Sequence, residues 1–348
     1  MARDSIVIVG AGIIGLDVAL ELSHRGHGSS ITIVAEHMPG DMSINYTSPW
    51  AGANFSAISG NDTNALRWDR AGYLAMWKLV EDGSSEAKYL KKTKSIEYFD
   101  MQPNPDKIES MKGYLKDLTI IPSDQLPTGV NFGISFTTIT INAPAHIRNI
   151  ADLLTLPEYG SVRFLSRRLK SLDDAWLSGN TKIVFNCTGN AAKTLVPDVK
   201  SYPTRGQVLL VKAPKVEENI MRHGRNYETY VIPRPGSNGK VILGGYMQKG
   251  NSSADVYRSE TESILKRTAD LLPVLNEPET DLLAVVAGLR PSREGGARVD
   301  SESLSGNRLL VHNYGAGGTG YQAGMGMAAD AIELAKEPLS RLVVKSSL

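Results

Sequence analysis

The chain has 348 residues, of which 41% are apolar and 22% are charged, and 38 Lys and Arg stand against 37 Asp and Glu. These values are typical of a globular protein with room for two domains. The net charge of +1 argues against a nucleic-acid or membrane-surface partner, which would require a basic stripe. With Cys187 as its single cysteine, the chain cannot form an intramolecular disulfide, and a thiolate metal cluster is not expected.

The N-terminus is predicted to form a strand, a glycine turn and a helix. The apolar, β-branched run 5–9 is typical of a buried parallel strand. Leucines and alanines at helical spacing follow, and the predicted helix ends near Arg25 and Gly26, a cation and a glycine that suit a helix C-terminus. Between strand and helix lies the turn Gly10, Ala11, Gly12, Ile13, Ile14 and Gly15.

This turn has the spacing of a dinucleotide-binding loop. Gly10 permits the tight turn, Gly12 lets a pyrophosphate approach the backbone, and Gly15 lets the helix pack against the strand. The phosphates would lie at the positive end of the helix. A second apolar strand, 31–35, ends at Glu36, which is placed to accept the ribose hydroxyls. Glycine-rich turns also occur in folds that bind nothing, but strand, turn, helix, strand and acid in this order favour dinucleotide binding.

Two later stretches bear on the choice between NAD and FAD. Residues 41–54 are polar and punctuated by glycine and proline, where a plain dehydrogenase would continue with regular βα units. Residues 182–189 form an apolar run that ends in Cys187, Thr188 and Gly189. This run predicts another strand of the same sheet, whose carboxyl end meets the same ligand; the alternative is a strand terminus without a ligand.

A second, mainly antiparallel sheet is predicted from short strand-like runs separated by turns over residues 88–141, a pattern that resumes at 206–212. The predicted nucleotide-binding domain is discontinuous and comprises residues 1–80, 145–200 and 285–340. The predicted second domain comprises residues 81–144 and 201–284. Near the C-terminus, residues 309–328 repeat the order of strand, glycine turn and helix.

Blocks spread over residues 5–330 resemble the D-amino acid oxidase family of FAD flavoproteins, and several look most like its fungal members. The resemblance implies an α/β fold, in which a Rossmann-type parallel sheet domain that binds FAD is interleaved with a mainly antiparallel domain that binds substrate. The matching blocks are residues 10–15, 43–45, 49–54, 205–207, 230–235, 288–293 and 310–328.

The resemblance implies that FAD is held non-covalently at both ends. The first glycine turn and Glu36 would bind the pyrophosphate and ribose, and the second turn would direct backbone N–H groups at the flavin ring. The further residues predicted to contact the cofactor are Ser43, Ile44, Asn45, Gly52, Leu169, Cys187, Thr188, Gly189, Ala316, Gly317, Gly318, Thr319, Gly320, Tyr321 and Gln322.

The resemblance also assigns the catalytic residues. Arg290 would bind the substrate carboxylate with its planar, permanently charged fork, Tyr230 would assist with its hydroxyl, and the backbone carbonyl of Gly318 would hold the amine. We interpret Arg293, Arg298 and Tyr227 as structural. The implied reaction is hydride transfer from the α-carbon to flavin N5, followed by hydrolysis of the imino acid to a 2-oxo acid and ammonia and by formation of hydrogen peroxide from oxygen. The sequence predicts no metal site.

The side-chain preference is predicted to be neutral. Met247 aligns with the position at which the related D-aspartate oxidases carry an arginine, and a methionine forms a soft apolar wall. Lys249 leaves a D-aspartate or D-glutamate oxidase open as the alternative. The other residues predicted to line the substrate pocket are Asn54, Phe55 and Gln322.

The expected partners are a D-amino acid and oxygen, and a homodimer is left open. The chain ends in Ser346-Ser347-Leu348, a variant of the Ser-Lys-Leu peroxisomal signal. We therefore expect a peroxisomal protein, or otherwise a cytoplasmic one.

Overall fold

The structure is a computed structural model, and it describes residues 4–225 and 227–343. The variant peroxisomal tripeptide lies outside the described residues. The α-helices are α1 (Ile13–His24), α2 (Thr63–Glu81), α3 (Pro105–Lys112), α4 (Ala143–Leu154), α5 (Ala192–Leu195), α6 (Arg258–Leu271), α7 (Gly320–Leu334) and α8 (Lys336–Val343). The strands are β1 (Ile6–Val9), β2 (Ile31–Ala35), β3 (Leu90–Phe99), β4 (Lys116–Ile120), β5 (Phe132–Ile141), β6 (Arg163–Ser166), β7 (Ile183–Asn186), β8 (Ser201–Lys212), β9 (Asn219–His223), β10 (Glu228–Pro233), β11 (Lys240–Gly244), β12 (Gln248–Lys249), β13 (Asp281–Arg293), β14 (Arg298–Leu304) and β15 (Arg308–Tyr314).

The first sheet has the strand order β14-β15-β7-β1-β2-β6. All neighbours in it are parallel except β14, which pairs antiparallel with β15. The central strands are apolar at nearly every position because both of their faces are covered. Helix α1 leaves β1 and returns the chain to β2, as predicted from the sequence, and it ends at His24 just before Gly26, whose φ is +82°.

The second sheet has the order β12-β8-β11-β10-β9-β3-β5-β4, and β13 also pairs with β8. In the strand registers that the structure describes, neighbouring strands of this sheet are antiparallel, except that β3 and β9 are parallel. The apolar cluster on one of its faces includes Leu209, Val231, Leu243 and, from α6, Ile264. The predicted combination of a parallel sheet with a mainly antiparallel sheet is confirmed.

The chain divides into two compact units. The first comprises residues 1–49, 147–203 and 290–348, and the second comprises residues 50–146 and 204–289. Residues 50–80 therefore lie with the second sheet, whereas the sequence assigned them to the nucleotide-binding domain. Helix α2 accounts for this difference, because it packs against β3 and β5.

Across residues 4–225 and 227–343, none of the helices combines the length and the apolar character that crossing a membrane requires.

Candidate active site

The first glycine turn lies in the first unit, between β1 and α1, and close packing explains its glycines. Gly10 has a φ of +113°, and a Cβ on it would lie 2.4 Å from the carbonyl oxygen of Cys187. A Cβ on Gly15 would lie 2.0 Å from the carbonyl oxygen of Gly10. Both positions therefore require glycine, as the dinucleotide-loop interpretation expected.

The N-terminus of α1 is held by a segment that sequence reasoning did not connect with it. The cap residue Gly12 makes no side-chain cap within the described chain, and the N–H of Ile13 instead donates to Ser48 Oγ at 3.0 Å. The hydroxyl of Tyr46 donates to the carbonyl oxygen of Ala11 at 2.6 Å. Tyr46 and Ser48 are thus site residues that we missed. The only signal for them was their position between the Ser43–Asn45 turn and the Pro49–Asn54 block.

The second glycine turn follows β15 and leads into α7, as predicted. Gly315 and Gly317 have φ values of +86° and +59°. The N–H of Gly317 donates to the carbonyl oxygen of Pro291 at 2.8 Å, and Ala316 forms an isolated bridge with Ser292. Thr319 begins the helix, and its hydroxyl donates back to the carbonyl oxygen of Ala316 at 2.8 Å.

The N-termini of α1 and α7 lie side by side in the first unit. The hydroxyl of Tyr321 donates to the carbonyl oxygen of Ser48 at 3.0 Å, so Ser48 contacts the first turn of both helices. A Cβ on Gly320 would lie in ordinary contact with Ile13, at 3.7 Å from its Cγ2. Two sets of helix N–H groups therefore meet in one region.

This arrangement fits a dinucleotide such as FAD. Both helices are described over their first turns, and neither has an acidic residue there. A Cβ on Gly12 would come within 3.0 Å of Ser48 Oγ, so glycine keeps this helix N-terminus clear of a side chain, and an anion can approach the first-turn N–H groups beyond Ile13. Glu36 follows β2 with its carboxylate half exposed, and Arg168 Nη1 lies 3.7 Å from it. An exposed pair of this kind is weak, so the carboxylate remains able to accept ribose hydroxyls.

Polar residues line the carboxyl ends of β7 and β15 in the first unit. Thr188 donates through its hydroxyl to Asn186 Oδ1 at 2.7 Å, and Asn186 Nδ2 lies 3.0 Å from His312 Nδ1. His312 Nε2 lies 3.0 Å from Glu302, which agrees with the structural role expected for that histidine. Cys187 is buried, and burial raises the pKa of its thiol, so the thiol is neutral. Gly189 turns with a φ of +56° against Pro291.

Asp17 is a buried acid between α1 and α7. Burial raises its pKa well above the usual range for a carboxyl group. A Cβ on Gly324 would lie 2.2 Å from Asp17 Oδ2, so the two helices approach closely only because residue 324 is glycine.

The remaining predicted cofactor residues lie in different surroundings. Ser43 accepts from the N–H of Asn45 at 3.2 Å, and the turn leaves Ile44 partly buried and Asn45 exposed. Leu169 packs into an apolar cluster with Val9 and Val34, beneath the ends of β1 and β2. Ile14 is partly buried in the first turn of α1, and Gln322 is buried in the first turn of α7.

Gly52 belongs to the second unit. A Cβ on it would lie 2.4 Å from Ile232 Cδ1, and its carbonyl oxygen accepts from Arg234 Nε at 3.1 Å. These contacts explain the glycine through packing within that unit, and its predicted contact with the cofactor stays a prediction.

Arg290 and Gly318 approach one another within the first unit. Arg290 immediately precedes Pro291 and Ser292, which pair with Gly317 and Ala316. Gly318 is exposed, so its carbonyl group is accessible to a ligand. The second glycine turn therefore brings the predicted carboxylate-binding and amine-binding positions together.

Arg293 and Arg298 are engaged elsewhere. Arg293 Nε donates to Asp198 Oδ2 at 2.8 Å. Burial raises the pKa of Asp198, but hydrogen bonds from Arg293 and Tyr314 outweigh it and lower that pKa to about 2. Arg298 pairs with Asp300 at 2.9 Å and with Glu302 at 2.9 Å. Both contacts agree with the structural interpretation made from the sequence.

Tyr230 lies in β10 of the second unit, directly opposite Gly244 of β11. A Cβ on Gly244 would lie 2.1 Å from Tyr230 Cζ, and one on Gly245 would lie 2.4 Å from the tyrosine hydroxyl oxygen. The phenol ring therefore packs against the Gly-Gly backbone so closely that a Cβ at either position would overlap it. Tyr227, in contrast, donates its hydroxyl to Asp100 at 2.5 Å and packs on Gly224, in agreement with a structural role.

The predicted pocket residues of the second unit lie on two segments. Asn54 Nδ2 donates to Met221 Sδ at 3.4 Å, and Met221 is the cross-strand partner of Tyr230. Phe55 is buried and exchanges two hydrogen bonds with the Thr138 hydroxyl. Met247 lies two residues past Gly245 with 59% of its surface exposed, so it is not part of the packed core. We call this exposed position beside Tyr230 the rim.

Within the described ranges, no group of three or more His, Cys, Asp or Glu side chains has an arrangement that could hold a metal ion.

Comparison with known proteins agrees with this architecture. The family described as FAD dependent oxidoreductase matches residues 5–334. A D-amino-acid oxidase from Schizosaccharomyces pombe is 44% identical over 338 residues, which cover 95% of each chain. A D-aspartate oxidase from Talaromyces thermophilus is 28% identical and covers 94% of each chain. Glycine oxidase from Geobacillus kaustophilus has a similar fold, with a TM-score of 0.75 over 97% of this chain and 95% of its own at 16% identity.

The glycine turns, the two helix N-termini and the match over nearly the whole chain lead to one assignment. The predicted family and the FAD cofactor are confirmed. This chain belongs to the FAD-dependent oxidoreductase family and, within it, to the D-amino-acid oxidases.

Proposed function

We propose that this protein oxidises neutral D-amino acids to 2-oxo acids, with release of ammonia and formation of hydrogen peroxide from oxygen. The family assignment supports the reaction. The observation that carries the preference for neutral side chains is the rim beside Tyr230, where Met247 is exposed after the Gly244–Gly245 backbone. A thioether there supplies apolar contact and no charge for a second carboxylate.

The arginine beside this rim is already committed to the protein. Arg267 of α6 donates to the carbonyl oxygen of Glu228 at 2.8 Å, to the Thr229 hydroxyl at 2.6 Å and to the carbonyl oxygen of Gly245 at 3.2 Å. Its Nε donates to the Ser263 hydroxyl at 3.3 Å. Because its main donors are occupied, Arg267 is a poor receptor for an acidic side chain.

The roles of the chain's own residues follow from their chemistry. Arg290 binds the substrate carboxylate through a fixed fork of donors, and the carbonyl group of Gly318 accepts from the amine. Tyr230 keeps the role that family resemblance assigns, a hydrogen bond to the carboxylate. FAD, held at the two glycine turns, would supply the hydride acceptor and the route by which electrons reach oxygen. The protein contributes orientation, because binding at the carboxylate and the amine fixes the direction of the α-carbon hydrogen.

A D-aspartate or D-glutamate oxidase is the alternative, since Lys249 is exposed two residues past Met247. Turnover of D-alanine, D-methionine and D-aspartate by the purified holoenzyme distinguishes the two. We expect D-methionine and D-alanine to be the better substrates, and Met247→Arg to raise the relative rate with D-aspartate. Dominant D-aspartate turnover by the wild type would overturn the proposal; Lys249→Ala then tests the lysine.

We also propose a homodimer and a peroxisomal location. Sedimentation of the purified protein tests the first. Localisation of the full chain in cells, with and without its last three residues, tests the second.

A further inference from the structure

Two segments of the second unit carry its predicted substrate contacts. The first wall segment is residues 54–57, which contains Asn54 and Phe55. The second wall segment is residues 244–247, which supports the ring of Tyr230 and ends at Met247. The segments are 187 residues apart in sequence, counted from 57 to 244, so tertiary contacts alone set their separation.

A chain of buried and partly buried polar groups joins the two wall segments. The N–H of Ala57 donates to Glu97 Oε2 at 3.1 Å. The same oxygen lies 2.9 Å from His223 Nε2, and His223 Nδ1 lies 2.7 Å from Glu228 Oε2. The carbonyl oxygen of Glu228 in turn accepts from the N–H of Gly245 at 2.9 Å. A single side chain, His223, therefore stands between the two carboxylates.

The histidine in this position carries a positive charge. Each ring nitrogen lies within 2.9 Å of a carboxylate oxygen, and this arrangement favours a proton on both nitrogens. Burial by itself lowers the pKa of His223, but hydrogen bonds with Glu228 and Glu97 outweigh it and raise the pKa to about 10. The Glu97 side chain is 0% exposed, and a buried carboxylate of this kind requires a cation beside it.

The surroundings restrict this ring further. Phe99 stacks on it with ring centroids 4.6 Å apart. The neighbouring charges Arg222 and Asp100 pair with one another at 2.8 Å. Arg267 fixes the far end of the chain through the carbonyl groups of Glu228 and Gly245. These contacts hold the imidazole ring between the two wall segments.

We propose that His223 is a positioning residue of the substrate pocket: as an imidazolium between Glu97 and Glu228, it holds the two wall segments at the separation that sets which side-chain sizes are accepted. This inference rests on the proposed oxidation of D-amino acids. It predicts that replacing His223 changes the binding of substrates with long side chains more than that of substrates with short ones, because a short substrate side chain extends least toward the wall segments.

The test compares His223→Gln with His146→Gln in the holoenzyme. His146 is a buried histidine of the same unit whose pKa is lowered to about 4, chiefly by burial, and it belongs to α4 rather than to either wall segment. Anaerobic bleaching of the flavin by D-alanine and D-methionine gives the substrate affinity and the limiting rate separately.

We expect His223→Gln to raise the half-saturating concentration of D-methionine roughly tenfold, a loss of about 1.4 kcal/mol of binding free energy. The value for D-alanine and both limiting rates should change less than about twofold. His146→Gln should leave the ratio of the two affinities unchanged, whatever it does to thermal stability.

An unchanged affinity ratio in His223→Gln would overturn the positioning role and leave only a structural one. If that variant does not fold, Glu228→Gln replaces it, because the amide keeps an acceptor for the imidazolium; it should shift the ratio in the same direction by a smaller factor, and no shift would overturn the inference. A wild type that no D-amino acid bleaches would instead defeat the proposed function.

Discussion

The glycine turns of the first unit and the wall segments of the second unit are built in different ways. At the turns, backbone groups do most of the positioning: Gly10 and Gly15 pack against carbonyl oxygens, and neither N-cap residue, Gly12 or Thr319, caps its helix with its own side chain. At the wall segments, side chains do it: the cross-strand pair His223 and Glu228 meets Glu97, which lies 126 residues before His223 in the sequence. A site built from close-packed backbone is disrupted by an added Cβ. A site held by side chains depends instead on the charges that those side chains carry.

The largest expected effect is the loss of the cofactor on adding a side chain to the first turn. Gly12→Val should give folded, colourless protein, because the added Cβ lies 3.0 Å from the flexible Ser48 hydroxyl and fills the space next to the helix N–H groups. The absorbance of the purified protein measures this. Gly179→Val is the matched control, since a Cβ there meets nothing within 4 Å. A yellow Gly12→Val protein would contradict the backbone-built site.

Removing the side chain proposed to bind substrate in the first unit should have the next largest effect. Arg290→Ala should raise the substrate KM a hundredfold or more, since two charge-assisted hydrogen bonds are worth about 3 kcal/mol or more. The FAD content should not change. Steady-state kinetics with D-alanine measures the effect.

Arg293→Ala provides the comparison on the same strand. Its partner is Asp198, so its loss should lower the thermal midpoint while KM stays within about twofold. Equal kinetic defects in the two variants would remove the distinction drawn between these arginines.

In the second unit, Gly245→Ala should displace Tyr230, because the new Cβ would lie 2.4 Å from its hydroxyl oxygen. Losing one hydrogen bond of about 1 kcal/mol predicts a rise in KM of roughly fivefold. Gly250→Ala is the control; its φ of +76° adds local strain but a Cβ there has open space. If both variants show the same KM, Tyr230 does not depend on the Gly-Gly backbone.

The last effect concerns stability rather than binding, and it depends on pH. The folded-state pKa of His223, about 10, lies above its ordinary value of about 6.5. Its contribution to stability is therefore complete below about pH 6.5 and is lost as the pH rises through about 10. Over this interval the wild type should lose unfolding free energy relative to His223→Gln as the pH rises.

Urea denaturation of the holoenzyme at several pH values measures this difference. Parallel pH profiles for wild type and variant would show that the imidazole is not charged in the folded protein.

Much of the first unit could be predicted because its signals are local. The run from β1 to Glu36 carries strand, turn, helix and acid within 36 residues, and residues 309–335 repeat the order. The predicted parallel sheet, the strand of residues 183–186 and the second turn are all confirmed. Ser48 and Tyr46 escaped prediction, because a serine and a tyrosine in a loop carry no signal until the fold places them on Ile13 and Ala11.

The wall segments were less predictable. Family resemblance identified Asn54, Phe55, Tyr230 and Met247 as candidates, and their contacts with substrate stay predictions. Nothing in the spacing of Glu97, His223 and Glu228 indicated that they would meet, since they lie on three different strands. Residues 50–80 were assigned to the other domain, because an isolated helix pattern does not show which sheet it covers.

The sequence by itself determined the glycine turns, the sheet classes and the FAD-dependent family, because close backbone packing and strand periodicity are written in neighbouring residues. Only the tertiary structure decided how Ser48 contacts two helix N-termini and how a buried imidazolium joins residues 57 and 245. Those contacts depend on strand order and register, which bring together groups that are 35 residues apart for Ile13 and Ser48 and 273 residues apart for Ser48 and Tyr321.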